Sequence, residues 1–524
     1  MPFGAHLAVS VLNLSPLIYA FIAILALFGA IAGLWRGFLR QTVRFTTVFV
    51  SLLLSYTIVM AAYGYLDAVF CARGASTLGA LLVRLGIFSR VSDLLSLFGT
   101  DAVSVFLELP STFFVIPCIF VAAFIFISSI LVIVHKIICA VCGFRAHRNS
   151  LTMRILGAVL GVFQGLLVSA VILTPVVGVS SLARDAVQAV NDKAPNDSFT
   201  ARVNDAYGIY LESVTENSAI TTLEKLGVGA MYRGISNPKL DGKELSTKDL
   251  IDDGASLAIN FARIRGAKLD ALNESDKASL DEIIAILEKN YYYRSIVSKT
   301  AKSIADSYED GKVTLPIEEQ LLPFAEAAIS IFTTSDETNI CKDIRTLADV
   351  LFILSDEGVF DSFDKGSDAM LSVLTSRDDD GVTAVSKVMS VIDSNERTAP
   401  LKSLFAKISV TVMSGQSGIS EDALDTYKSI KDAINTDILT IEKSIYETEE
   451  EYVEEISVAL DTVLKDNGIS LDEEIVDTMA EYVADNFSDV AEIGDQEAAD
   501  IIFSYYDAYL EYVESGAIPD GVIP

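Results

Sequence analysis

Cys139 and Cys142 bracket the tetrapeptide CAVC, a spacing at which two thiolates can grip one metal ion. His135 and His147 lie near enough in sequence to complete a zinc set. The setting speaks against it. There is no second C-x-x-C, the pair closes a long apolar run, and a redox pair belongs in a strand–helix unit. A second candidate is acidic: residues 376–381, SRDDDG, look like part of a calcium loop. That loop needs acids at alternate positions and a glutamate at the twelfth, and the twelfth residue from Ser376 is Lys387. No histidine lies beyond Val179, which removes most hydrolase and zinc constellations from that region. Carboxylates that could pair for glycoside cleavage are abundant there, and nothing singles out one pair. The sequence therefore predicts no catalytic residue, no metal site and no cofactor.

Gln164 is different, because it stands about ten residues into an uncharged run that begins at Ile155. An amide in hydrocarbon costs free energy unless it is hydrogen-bonded, so it should face other helices. An interhelical hydrogen bond there is worth about 0.6–2 kcal/mol. The competing role is a pore or relay residue.

The elements that must hold Gln164 are legible as uncharged runs over residues 14–35, 46–63, 113–134 and 155–179. At 1.5 Å rise per residue, about 20 residues cross a ~30 Å hydrocarbon core. Four spans follow, at about 14–35, 43–63, 113–135 and 155–179. Pro117 and Pro175 should bend or end their helices. Arg36, Arg40 and Arg44 lie between the first two runs, and Lys136, Arg145, Arg148 and Arg154 between the last two, with no acid in either stretch. Excess Lys and Arg stays cytoplasmic, so the N-terminus, the stretch 64–112 and everything after the fourth span should lie outside the cytoplasmic membrane. Short apolar pieces within 64–112 read as interfacial helices or a small helical cap. The first span has no Lys or Arg before it and its charges follow it, so it reads as an uncleaved anchor.

Gly29, Gly33 and Gly37 fall four apart, and so do Gly157, Gly161 and Gly165. Every fourth residue stays near one helix face, and glycine lets two backbones approach. The first and fourth spans are expected to pack through these faces, with each other or with a second copy of the chain.

Two stretches carry a resemblance. RGFLRQ, with Arg36, Gly37, Phe38 and Arg40, follows the first span, and RILGAVLGVFQG, with Arg154, Leu156, Gly157, Gly161 and Gly165, opens the fourth. Together they resemble the colicin V production protein family, small bacterial inner-membrane proteins, over about the first 180 residues. The chain departs from that pattern at three points. Asn13 and Ser15 stand where the family often has an acid, Gln41 where it often has Glu, and Gln164 where it often has a basic residue. These charge losses compensate one another and suit a neutral polar contact. The resemblance implies a role in bacteriocin or toxin production or export and in envelope maintenance, without an assigned chemistry.

Charge divides the chain. Residues 1–178 hold ten Lys/Arg and four Asp/Glu, a net +6. Of the 39 basic and 71 acidic residues overall, 29 and 67 are left beyond them, a net −38 that disfavours nucleic acid. That region reads as all-α. Ser279 with Glu282, Ser470 with Glu473 and Ser246 with Asp249 look like helix caps ahead of apolar periodicity. Recurring capped helices hint at stacked repeats without a fixed period. The predicted architecture is a four-span bundle over 1–180 and an acidic helical domain over 181–524, as one or two subdomains. Two functions fit: a non-enzymatic membrane protein whose outer domain binds an envelope or secreted partner, or a transporter or channel with a path near Gln164.

Overall fold

The computed structural model describes residues 14–72, 105–141, 150–236, 239–240, 243–265, 267, 272–312, 322–362, 369, 373, 383–413, 421–471 and 473–504. These are helical throughout except for connecting turns and one pair of two-residue strands, Lys239–Leu240 against Lys243–Glu244. Cys142, His147, SRDDDG and most of the stretch 64–112 lie outside the described residues, as do the side chains of Cys71 and Cys139. By contact the chain forms two compact units, residues 1–262 with 289–296, and residues 263–288 with 297–524. The composition changes near residue 180, whereas the contacts divide at Ala262.

Four helices of the first unit are long and apolar enough to cross a membrane: Pro16–Arg36, Phe38–Ala62, Glu108–Ile137 and Leu151–Lys193. The first lies in α1 (Leu14–Arg36) and the second in α2 (Phe38–Ala72). The only residue between them is Gly37, at φ 72°, a left-handed conformation that suits a residue without Cβ. Arg40 and Arg44 therefore ride on the first turns of α2 rather than in a loop.

The third span begins with Glu108–Pro110 and a π-helical turn, Ser111–Val115, and continues as α3 (Ile116–Val141). Pro117 has no N–H for the carbonyl four residues back, that of Phe113. The Tyr232 hydroxyl donates to that carbonyl at 2.7 Å instead. The fourth span is the first part of α4 (Leu151–Lys193), 43 residues capped by Ser150, whose side chain accepts from the Met153 N–H. At 1.5 Å per residue it is about 65 Å long, roughly twice a hydrocarbon core. Pro175 lies inside it without ending it.

The chain then returns to the spans through α5 (Ser198–Tyr210), α6 (Glu212–Thr215), α7 (Ser218–Leu223) and α8 (Gly229–Ile235). Ile220 and Val228 pack with Ile18, Leu173 and Val177. Ile235 joins Val48, Val59, Ile116, Phe120 and Val171, from three spans. Tyr232 lies flat on Gly178, where a Cβ would overlap its ring. A last helix, α9 (Thr247–Ile264), starts at Ser246, whose hydroxyl accepts from the Asp249 N–H at 3.3 Å, and sets Ala255 and Ile259 against Ala189 and Val190.

The second unit is built differently. Its α10 (Glu274–Lys289) starts five residues before Ser279, which is buried inside the helix and is not its cap. Asn273 takes that place. It accepts from the N–H groups of Ser275 and Asp276, and the Asp276 carboxylate accepts from the Asn273 N–H at 3.1 Å. This is the same reciprocal device six residues earlier, nearly two turns. Next come α11 (Tyr291–Glu309), α12 (Leu322–Thr334), α13 (Ile340–Asp356), α14 (Ala384–Asp393), α15 (Ala399–Met413), α16 (Glu421–Ala433), α17 (Glu449–Asp466) and α18 (Glu473–Phe487). The first turn of α11 belongs to the first unit. Leu354, Ile392, Phe405, Tyr427, Leu460 and Met479 share one apolar core. Asp343, fully buried, accepts from Ser335 Oγ at 2.7 Å, Asn395 Nδ2 at 3.0 Å and Arg397 Nε at 3.1 Å. Three donors compensate a carboxylate that would be costly to bury alone. Cys341, on the same helix, is buried.

Candidate functional site

The residues that the sequence singles out meet along the line where α1 passes α4. A Cβ on Gly29 would overlap the Gly161 carbonyl, and one on Gly161 would overlap the Gly29 carbonyl. One on Gly33 would overlap the Gly157 carbonyl, and one on Gly157 would lie 2.5 Å from the Gly33 oxygen and 2.8 Å from the Gly37 carbonyl carbon. Gly165 faces the Leu25 carbonyl in the same way. The backbones touch at a spacing that only glycine permits, and the glycines of α1 meet those of α4 in the same chain. Apolar side chains gain little by leaving lipid for one another, so close approach of this kind supplies packing that larger side chains cannot.

Gln164 sits half-buried beside Gly165 on this seam. Its Oε1 accepts from Gln41 Nε2 at 2.7 Å, and Gln41 is fully buried. The Gln41 oxygen accepts in turn from Arg36 Nη1 at a long 3.4 Å. The chain Arg36–Gln41–Gln164 thus runs from the end of α1 through the first turn of α2 to the middle of the fourth span. Two positions at which the sequence departs from its resembled pattern are a hydrogen-bonded pair, neutral on both sides. Both amides could be suspected from type and depth; only the fold pairs them.

The other motif residues stand apart. Phe38 is half-buried, while Arg40 and Arg154 are exposed. Trp35 is 86% exposed at the end of α1, a position that suits the membrane–water interface. The remaining polar side chains buried among the spans are mostly satisfied by their own helices. Ser51 donates to the Thr47 carbonyl, Ser55 to Ser51, Ser169 to Leu166 and Thr174 to Ala170. Glu108, also fully buried, is approached by the Thr112 hydroxyl at 3.5 Å. Sequence reading missed Glu108 and Tyr232. Glu108 lay just outside an uncharged run, and Tyr232 is far in sequence from the proline whose effect it offsets.

Among the described residues no group of three or more His, Cys, Asp or Glu is placed to hold a metal ion. No family model matches the chain, and no curated protein or solved structure matches it either.

Proposed function

We infer that the chain is a non-enzymatic multi-pass membrane protein, in which a locked four-span bundle anchors an acidic helical domain that binds a protein partner. The observation that carries this reading is the seam. Backbone contact through six glycines leaves no gap between α1 and α4. The mid-span amide Gln164 is spent on Gln41. A solute path beside Gln164, as a transporter needs, would have to open both. The placement of Arg36, Arg40, Arg44 and Arg154 favours a cytoplasmic location for those ends, with the N-terminus and the acidic domain outside a bacterial inner membrane. The resemblance to colicin V production proteins favours a place in toxin or bacteriocin production or export and in envelope maintenance. The lipid bilayer and an envelope or secreted protein are then its partners, and nucleic acid is not.

The test has two arms. Photocrosslinkers at exposed positions of the acidic domain, such as Val458, are expected to capture one envelope or secreted protein in living cells. Purified chain in vesicles is expected to pass no ions. A flux abolished by Gln164→Leu, with no specific crosslink, would replace this reading with a transporter.

A further inference from the structure

Beyond the seam, the first unit carries a cleft of about 510 Å³ that the proposed function does not use. One wall is α4, where Ser181, Asp185, Gln188 and Asp192 follow one another at helical spacing. Facing it are Arg233 from α8 and Lys248 and Asp252 from α9. Three carboxylates and two cations therefore line one hollow. Among the described residues none of these five makes an ion pair, since no cationic nitrogen comes within 4.0 Å of a carboxylate oxygen. Elsewhere in the same unit charges do pair: Arg184 meets Glu224 at 3.1 Å and Lys289 meets Asp253 at 3.1 Å. The Arg233 charge acts on Asp185 at longer range, and walls of mixed sign that stop short of ion pairing suit a guest that carries both charges.

The position of the cleft narrows the guest. Gly178 and Tyr232 also line it. Gly178 lies at the end of the uncharged run of the fourth span, and the Tyr232 hydroxyl donates to the Phe113 carbonyl, where the uncharged run of the third begins. The cleft thus starts at the ends of two uncharged runs, next to where a phospholipid headgroup layer would lie, and continues along α4 to Asp192. We propose that it binds an aminoalkyl phosphate zwitterion, with Arg233 and Lys248 on the phosphate and Asp185, Asp192 and Asp252 around the ammonium. A guanidinium and an ammonium both serve as phosphate donors, and a primary ammonium has three N–H groups to share among carboxylates. The same chemistry comes from two sources, the headgroup of phosphatidylethanolamine or free phosphoethanolamine.

Full-length chain in an uncharged detergent is melted with dihexanoyl phosphatidylethanolamine, dihexanoyl phosphatidylglycerol or phosphoethanolamine. A ligand that binds only the folded state raises the melting temperature saturably. The amine-bearing lipid is expected to do so and phosphatidylglycerol is not. Arg233→Gln, on an exposed residue, should weaken binding about tenfold without moving the unliganded melt. Asp185→Asn combined with Asp192→Asn should erase the preference for the amine. A shift with the lipid alone makes the bilayer the source, and an equal shift with phosphoethanolamine makes it a soluble aminophosphate; both keep the zwitterion. Equal stabilisation by phosphatidylglycerol, no shift with either amine, or variants that bind like the parent overturn the proposal. The phosphoethanolamine arm needs neither a bilayer nor a protein partner, so its failure is separable from failure of the proposed function.

Discussion

The α1–α4 seam and the core of the acidic unit solve one problem, holding helices together, with opposite side chains. Along the seam the contact residues are glycines and the touching atoms are backbone. In the acidic unit they are Leu354, Ile392, Phe405, Tyr427 and Leu460, large side chains withdrawn from water. The solvent decides which works. Water rewards burial of apolar area at roughly 25 cal/mol per Å². Lipid gives almost no such reward, so close backbone approach takes its place. Adding atoms should therefore break the first region, and removing them should break the second.

The largest effect is expected at Gly33. Isoleucine there must displace the Gly157 carbonyl and the Ala158 backbone, neither of which is a flexible side chain. Overpacking costs about 1–3 kcal/mol in ordinary cores, and a backbone crossing belongs at or above the top of that range. The expected outcome is loss of a folded bundle, read as early melting in detergent. Next comes Leu354→Ala in the acidic unit, a fully buried side chain whose loss should cost about 2–5 kcal/mol. It should lower the denaturation midpoint of that unit. Should Leu354→Ala prove harmless while Gly33→Ile is disruptive, the comparison would survive for the membrane region only.

The Gln41–Gln164 bond is smaller. A double-mutant cycle with Gln41→Leu and Gln164→Leu should return a coupling of about 0.6–2 kcal/mol, the range of interhelical hydrogen bonds in lipid. No coupling would mean that the two amides are independent and would reopen a path for Gln164. The smallest effect is expected at Asp495, where the Lys431 ammonium at 2.6 Å holds the carboxyl below its ordinary range. A depressed folded pKa adds stability above the unfolded value of about 3.9, and that stability is lost as pH falls through the folded value. The side chain is 51% exposed, so solvent screening limits the pair to under about 1 kcal/mol. Asp495→Asn should flatten the acid limb of the stability curve below about pH 4 and change little at neutral pH.

What could be read in the sequence was whatever depends on one segment at a time. Uncharged length marks the four spans, four-residue spacing marks the glycine faces, and Ser246 announces α9. What depends on a distant partner could not be read. Residues 212–235 look like any short helical stretch of a soluble domain, yet Ile220, Val228 and Ile235 are buried against the spans. Tyr232 answers Pro117 across 115 residues of chain. The cap of α10 was placed too late because Asn273 with Asp276 works as well as Ser279 with Glu282, and the earlier pair won. Gln164 announced itself by depth, but its partner is fixed only by how α1, α2 and α4 come together.

The central claim is that backbone contact through glycine holds α1 to α4. Its most direct test compares two substitutions two residues apart on α4: Gly161→Ile on the seam and Phe163→Ile on the exposed face, where Phe163 is 58% exposed. Thermal melting in detergent should show Phe163→Ile within about 0.5 kcal/mol of the parent and Gly161→Ile unfolding many degrees earlier. Equal melting of both variants and the parent would mean that the two backbones do not touch in the folded protein.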